Sequence, residues 1–221
     1  MYSKSRTIKI VAISVAGLAV LSAGAAAQLA RAMVEQPDYE VLKKGDGYEI
    51  RKYPACIVAQ VEIEGGAAEA MSRGFQPLAD FIFGENVAAS KIEMTAPVTQ
   101  QRKSSEKIAM TAPVTQQPGK DTHTVAFIMP SEHSLDTLPK PKSDRVRLRE
   151  WPARTVAVVR FSWTGSHKQM LKREAQLREA LKAGGIEVTG PPTYARYDPP
   201  WTLPLFRRNE VMLPVRWEEQ D

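Results

Sequence analysis

The feature that most constrains this chain is an internal repeat at an offset of 98 residues. Residues 50–61 read IRKYPACIVAQV, and residues 148–159 read LREWPARTVAVV. In both copies an aromatic residue precedes a Pro-Ala pair and a run rich in valine and alanine. A glycine-containing turn and then a helical stretch follow each copy. The repeat therefore predicts two similar halves that arose by internal duplication.

The elements around the two copies predict one shared fold. Residues 55–63 alternate apolar and polar side chains, which is typical of a half-buried strand. Residues 67–83 carry large apolar side chains at helical spacing and end before Gly84. Further strands are predicted at residues 40–44, 48–52, 94–99, 108–115, 122–129, 145–151, 154–162, 193–197 and 209–215, and a second helix at residues 166–183. Neither half has enough apolar face to stand alone. We predict an α+β fold in which a duplicated strand-strand-helix-strand-strand unit forms a distorted antiparallel β-barrel or sheet with two packed helices.

A second, local repeat lies in the middle of the chain. KIEMTAPVTQQ at residues 91–101 recurs as KIAMTAPVTQQ at residues 107–117. The proline in each copy removes a ladder donor and indicates a strand edge or bulge. Two interpretations remain open: Met94 and Met110 are core residues, or they face a ligand cavity, where the flexible methionine side chain adapts to a ligand.

The first 32 residues are typical of an export signal. Three basic residues precede an apolar run at residues 10–27, and small residues suited to cleavage follow at 25–27 and 30–32. The run is just short of the roughly 20 residues that cross a bilayer. We therefore expect residues 1–32 to be a cleaved signal peptide rather than a retained membrane anchor, and residues 33–221 to form the exported domain. The protein is then periplasmic, or attached to the membrane facing the periplasm.

Composition and motifs exclude several functions. The net charge is +5, and without residues 1–27 there are 27 basic residues against 25 acidic ones, which is too even for a nucleic-acid footprint. The three histidines form no zinc motif, and no P-loop or nucleophile elbow is present. Only Glu93 and Glu210 are left as catalytic carboxylates, so we expect no enzyme activity. The single cysteine, Cys56, is expected to be a buried structural thiol.

The C-terminal run from residue 190 to 215 is rich in prolines and carries aromatic rings interleaved with arginines. The rings are Tyr194, Tyr197, Trp201 and Phe206, and the arginines are Arg196, Arg207 and Arg208. Such a set can stack on a flat anionic ligand and pair with its carboxylates. The alternative is a proline-locked loop whose three arginines are solvated.

Four motifs in order resemble the SOUL heme-binding family: YEIRKY at residues 48–53, MTAPV at 110–114, PARTVA at 152–157 and NEV at 209–211. The resemblance covers residues 39–215. It implies a duplicated strand-helix-strand unit that forms a distorted antiparallel barrel with two helices, in agreement with the repeat. It also implies noncatalytic binding of a tetrapyrrole.

The resemblance also suggests how heme is held. One branch of the family carries a histidine, proposed as an iron ligand, where this chain has Lys52. A protonated lysine does not coordinate a metal, so we expect non-covalent heme without a strong axial ligand and no metal site. In the branch that this chain fits better, an apolar groove with basic residues at its mouth binds the ring. The expected binding residues are Met71 and Phe75 of the first helix, Met110, Tyr194 and Lys52.

The resemblance leaves two functions open. The first is binding of heme or another porphyrin for transport, buffering or scavenging, by a monomer with no nucleic-acid partner. The alternative is a small-molecule effector-binding or protein-interaction module of the same fold without physiological heme binding.

Overall fold

A computed structural model describes residues 34–87, 107–109, 111–119 and 122–218, which form a curled antiparallel sheet and two helices. The strands are β1 Glu40–Lys44, β2 Glu49–Tyr53, β3 Cys56–Glu64, β4 Asn86–Val87, β5 Val114–Gln117, β6 Thr122–Ile128, β7 Lys140–Pro141, β8 Arg147–Trp151, β9 Arg154–Phe161, β10 Thr193–Arg196 and β11 Asn209–Pro214. The helices are α1 Ala67–Ile82 and α2 His167–Ala183, and a short 3-10 helix spans Pro204–Phe206. Among the described residues, no helix is long and apolar enough to cross a bilayer.

The strand order is symmetric. Nine strands pair in the order β1-β2-β9-β11-β10-β5-β6-β3-β8, and β4 pairs with β7 separately. β2 and β8 begin 98 residues apart, as do β3 and β9. If β2 is matched with β8, β3 with β9, β5 with β10 and β6 with β11, the strand order from β2 to β8 is the same in both directions. The fold class is confirmed: an α+β half-barrel with two packed helices. Duplication as its origin stays a prediction.

The helices occupy equivalent places in the two halves. α1 packs on β3 and β6, and α2 packs on β9 and β11. α1 lies so close to β6 that a Cβ added at Gly74 would come within 2.6 Å of Val125. α2 begins with a capping box between Ser166 and Gln169, which satisfies two free backbone donors of its first turn. Each helix therefore covers one half of the same sheet face.

Two large apolar clusters fill the space beneath the helices. Under α1 lie Ala59, Val61, Ile63, Leu78, Phe81, Ile82, Val125 and Phe127. Under α2 lie Ile50, Ala157, Met170, Leu177, Leu181, Val211 and Leu213. The opposite face of the sheet carries smaller clusters and a group of charged residues. The side of the sheet under the helices is called the helix face below.

One predicted strand is shorter than expected. The strand expected at residues 108–115 begins only at Val114, and residues 107–109 have no regular structure. Pro113 has no N–H to donate to a neighbouring strand. The N–H of Ala112 does not donate to a neighbouring strand of the sheet either, because it donates to the carbonyl of Glu35 at 3.0 Å. The first copy of the local repeat, residues 91–101, lies outside the described residues.

Candidate ligand-binding site

A row of side chains crosses the centre of the helix face. Phe127 on β6 lies opposite Val114 on β5, and Val114 lies opposite Arg196 on β10. Directly opposed residues share a face, with Cβ atoms about 5 Å apart, so the row spans roughly 10 Å. Phe127 belongs to the cluster under α1, and Val114 packs against that cluster. The row therefore lies between the parts of the sheet that the two helices cover.

Two residues of α1 extend this row into an apolar surface. The ring of Phe75 lies 5.3 Å from the ring of Phe127, edge to face, and Phe75 is 40% exposed. Met71 is one helical turn earlier, so it shares the face of α1 that Phe75 presents, and it is partly buried. We call Met71, Phe75, Val114, Phe127 and Arg196 the ligand surface. The predicted pair Met71 and Phe75 thus lies together on it.

Arg196 is the unusual member of the ligand surface. Its Nη2 donates to the carbonyl of Gly165 at 2.9 Å, but its Nη1 is buried and has no hydrogen-bond partner among the described residues. It forms no ion pair with any carboxylate in that part of the chain. Burial lowers the pKa of Arg196, and the neighbouring Tyr194 opposes this only in part. A desolvated, unpaired cation is unfavourable unless an anion neutralises it. A carboxylate that reached Nη1 would neutralise this charge.

Tyr194 does not lie open on the ligand surface. It is on β10, two residues before Arg196, but it is only 1% exposed and packs in the cluster under α2. Its hydroxyl donates to Glu174 of α2 at 2.6 Å. Burial and this hydrogen bond raise the pKa of Tyr194. In this structure the hydrogen bond of Tyr194 links α2 to β10. Its contact with a ligand stays a prediction.

The other two predicted residues are not brought to the ligand surface by the described structure. Lys52 is exposed on β2, and four strands (β9, β11, β10 and β5) separate β2 from β6. Met110 lies outside the described residues. Its neighbour Thr111 is buried and donates to the carbonyl of Ile128 at the end of β6.

The three histidines are in different environments. His123 is buried on β6, with its Nε2 2.9 Å from the carbonyl oxygen of Gly65. His133 lies in the loop after β6, 3.8 Å from a carboxylate oxygen of Glu132. His167 begins α2, with its ring 6.3 Å from that of Tyr194. No group of three or more potential metal ligands occurs within the described ranges.

A buried ionic cluster lies on the opposite face of the sheet, and the sequence did not reveal it. Glu210 on β11 is fully buried between two arginines. Arg51 on β2 donates to both of its carboxylate oxygens at 3.2 Å, and Arg208 donates to Oε1 at 2.8 and 2.9 Å. The hydroxyl of Tyr197 donates to Oε2 at 2.7 Å. In contrast to Arg196, this carboxylate is fully neutralised from within the protein.

The ionic cluster determines the protonation of its members. Burial lowers the pKa of Arg51, but the charge of Glu210 and hydrogen bonds to Tyr53 and Glu49 outweigh it and raise the pKa overall. Burial and the charge of Glu210 raise the pKa of Tyr53 to about 12. The raised pKa values keep Arg51 charged and Tyr53 neutral at neutral pH. Of the two interpretations of the C-terminal arginines, the solvated one is wrong for Arg208, which is paired here, and for Arg196, which is partly buried.

A cavity of about 650 Å³ opens at the start of β3. Cys56 lines it and is partly exposed, so the expectation of a buried thiol is wrong. The guanidinium of Arg154 points its Nη1 at Sγ of Cys56, 3.9 Å away. The same cavity is lined by three acidic residues, Glu35, Asp38 and Glu150. Its mixed charge makes it less suited than the ligand surface to a ligand with several carboxylates.

These features describe an α+β protein built from two matching halves, with an apolar surface beside a cation that has no counter-charge among the described residues. Residues 34–214 match the family model described as SOUL heme-binding protein. The chain therefore belongs to the SOUL heme-binding protein family.

Curated relatives agree with this membership. Human heme-binding protein 2 is 29% identical over 196 residues, which cover 86% of this chain and 90% of that protein. Heme-binding protein 1 of Sus scrofa is 28% identical over 187 residues, which cover 81% of this chain and 92% of that protein. Both similarities extend over nearly the whole length of the relatives, so they concern the complete fold.

Solved structures share the fold at much lower identity. The C-terminal domain of EcmrR is 12% identical, with a TM-score of 0.55 over 80% of this chain and 98% of that one. A hydrolase from Listeria innocua is 14% identical, with a TM-score of 0.52 over 79% of this chain and 94% of that one. At such identities the likeness concerns the fold alone.

Proposed function

We propose that this chain binds heme or a related tetrapyrrole, without catalysis, on the ligand surface. The observation that carries the proposal is Arg196, a partly buried cation whose Nη1 has no hydrogen-bond partner among the described residues. It lies opposite Val114, in the row that continues through Phe127 to Phe75. A tetrapyrrole has the matching chemistry, because it combines a flat apolar ring with carboxylate side chains. The apolar residues hold the ring, and Arg196 pairs with one carboxylate. The family membership supports this choice of ligand.

The protein holds the ring rather than the iron. Lys52, where one branch of the family has a histidine, is exposed on a distant strand. Burying one face of a porphyrin removes about 200–300 Å² of apolar area, worth roughly 5–8 kcal/mol before the cost of association. We therefore expect a micromolar rather than nanomolar dissociation constant. Bound heme supplies the iron chemistry, while the chain binds and orients the ring.

Reversible binding of this strength suits transport, buffering or scavenging of heme. The basic and apolar leader favours such a role outside the cytoplasm, because it is typical of an export signal. A ligand held without a strong axial bond can be passed to another protein, whereas a strong axial bond would slow its release. A monomer that carries one ligand surface is sufficient for this role.

A comparison of protoporphyrin IX with its dimethyl ester tests the proposal. The ester keeps the ring but has no carboxylate for Arg196. We expect the ester to bind about 10- to 150-fold more weakly, because a hydrogen bond to a charged group contributes about 1.5–3 kcal/mol. Quenching of tryptophan fluorescence measures both affinities. Equal affinities would remove Arg196 from the site, and no saturable binding of either compound would favour the effector-binding alternative.

A further inference from the structure

Four large apolar side chains are exposed in two adjoining segments. Trp201 is 83% exposed, Trp163 is 54% exposed, and Leu203 and Leu205 are 46% and 45% exposed. The segments touch, because the N–H of Trp163 donates to the carbonyl of Pro204 at 2.8 Å. We call these four residues the tryptophan tip. Single exposed apolar residues are common, but a contiguous group of this size is typical of an interaction site.

The backbone under the tryptophan tip is rigid. Trp163 has a φ of 95°, which a bulky residue rarely adopts unless its surroundings enforce it. Here Nδ2 of Asn209 donates to the carbonyl of Trp163 at 3.1 Å. Gly165 (φ 63°) packs so tightly on Asn209 that an added Cβ would lie 2.3 Å from its Oδ1. The fold thus enforces a strained backbone at Trp163, although more than half of its side chain is exposed.

The loop that carries Trp201 is fixed in the same way. The guanidinium of Arg207 donates from Nε to the carbonyl of Thr202 at 2.7 Å and from Nη2 to the carbonyl of Pro200. These bonds and three prolines restrict the segment from residue 199 to 206. The exposed indole of Trp201 is therefore presented by a preorganised loop, which loses little conformational entropy when it docks.

The charge around the tryptophan tip is positive. Residues 160–168 and 196–208 contain five lysines and arginines and one acidic residue, Asp198. Of these five, Arg208 is neutralised by Glu210 and does not add to the charge of the tip. Arg160 and Lys168 are exposed, whereas the carboxylate of Asp198 accepts the backbone N–H of Arg208. Tryptophan prefers the interface of a bilayer, and basic residues beside an apolar group attract anionic headgroups. Exposed tryptophan and leucine side chains beside exposed basic residues therefore match the surface of an anionic bilayer.

We propose that the tryptophan tip docks on the surface of an anionic lipid bilayer. Trp163, Trp201, Leu203 and Leu205 enter the headgroup region, and Arg160 and Lys168 contact lipid phosphates. The inference does not depend on the tetrapyrrole. The tip nevertheless adjoins the ligand surface, because Arg196 donates to Gly165, two residues after Trp163.

Single-tryptophan variants of the full chain test this docking. One variant keeps only Trp201 (W151F, W163F, W217F), and the matched control keeps only Trp151 (W163F, W201F, W217F). Vesicles are an equal mixture of phosphatidylglycerol and phosphatidylcholine, with or without brominated acyl chains. Brominated vesicles should quench Trp201 by at least about twofold and shift its emission to the blue, because the indole reaches the acyl boundary. Trp151, which is half-buried on β8, should not be quenched.

A second pair of changes separates docking at the tip from any other attachment of the chain. In the Trp201-only variant, L203D with L205D should abolish the quenching, while L135D, at an exposed leucine elsewhere, should preserve it. Circular dichroism confirms that each variant is folded. Vesicle-bound chain with unquenched Trp201 would overturn the proposal. The proposal would also be overturned if, without lipid, the emission of Trp201 shifted to the blue with rising protein concentration and the mass of the particle doubled. Those results would mean that the tip binds a second copy of the chain.

Discussion

Replacement of Arg196 by glutamine should separate ligand binding from stability. Glutamine keeps an amide donor for the carbonyl of Gly165 but removes the charge that pairs with a propionate. Loss of a charged hydrogen bond costs about 1.5–3 kcal/mol, so the dissociation constant for protoporphyrin IX should rise about 10- to 150-fold. The pKa of Arg196 is lowered by burial, which means that the fold disfavours its charged form. The free energy of unfolding of the ligand-free protein should therefore stay the same or rise by up to about 1 kcal/mol.

Porphyrin titration and urea unfolding of the ligand-free protein measure these two effects. Arg149→Gln is the matched control, because Arg149 is exposed on β8 and lies away from the ligand surface. It should change neither quantity. Unchanged porphyrin affinity in Arg196→Gln would refute the assignment of Arg196 to the ligand. A loss of more than about 1 kcal/mol of unfolding free energy would show instead that its charge stabilises the fold.

Three further outcomes are expected. Glu210→Gln should cost about 3–5 kcal/mol in urea unfolding, because the buried Arg51 and the mostly buried Arg208 lose their counter-charge. Exposed Glu150→Gln is the control, and an equal small effect of both changes would contradict the role of the cluster. Phe75→Ala should weaken porphyrin binding about 10-fold with under about 1 kcal/mol of destabilisation, since the ring is half-exposed. Phe83→Ala at the end of α1 should not weaken porphyrin binding. Identical porphyrin affinities of Phe75→Ala and the unchanged protein would exclude Phe75 from the site. Intact mass of protein recovered from the producing cell should lack residues 1–32, whereas a retained Met1 would indicate an anchor.

The order of elements could be predicted because their signals are local. The alternation in residues 55–63 matches β3 at Cys56–Glu64, and the predicted helices agree with α1 and α2 within one residue at each end. Local patterns are sufficient here because period two and helical spacing each determine which face of an element is apolar. The repeat at an offset of 98 residues also predicted that the helices cover equivalent halves of the sheet.

The charged sites could not be predicted because they depend on strand pairing. Arg51 and Glu210 are 159 residues apart in the chain, and they meet only because β2 and β11 both pair with β9. The interleaved aromatic rings and arginines did single out Arg196, Arg207 and Arg208. They could not show that Arg208 is neutralised while Arg196 is not, because that difference depends on which carboxylates the folded sheet brings near.

The most direct test of the account is to compare the binding of hemin and of iron-free protoporphyrin IX. Absorbance at the Soret band follows the first, and tryptophan quenching follows the second. We expect saturable binding of one ligand per chain, with micromolar dissociation constants that agree within about threefold, because apolar burial and Arg196 contribute equally to both. Single changes of His123, His133 and His167 to alanine should leave the hemin spectrum unchanged. Hemin binding at least about 100-fold tighter, with a low-spin spectrum that one of these changes abolishes, would place that histidine on the iron and contradict the account.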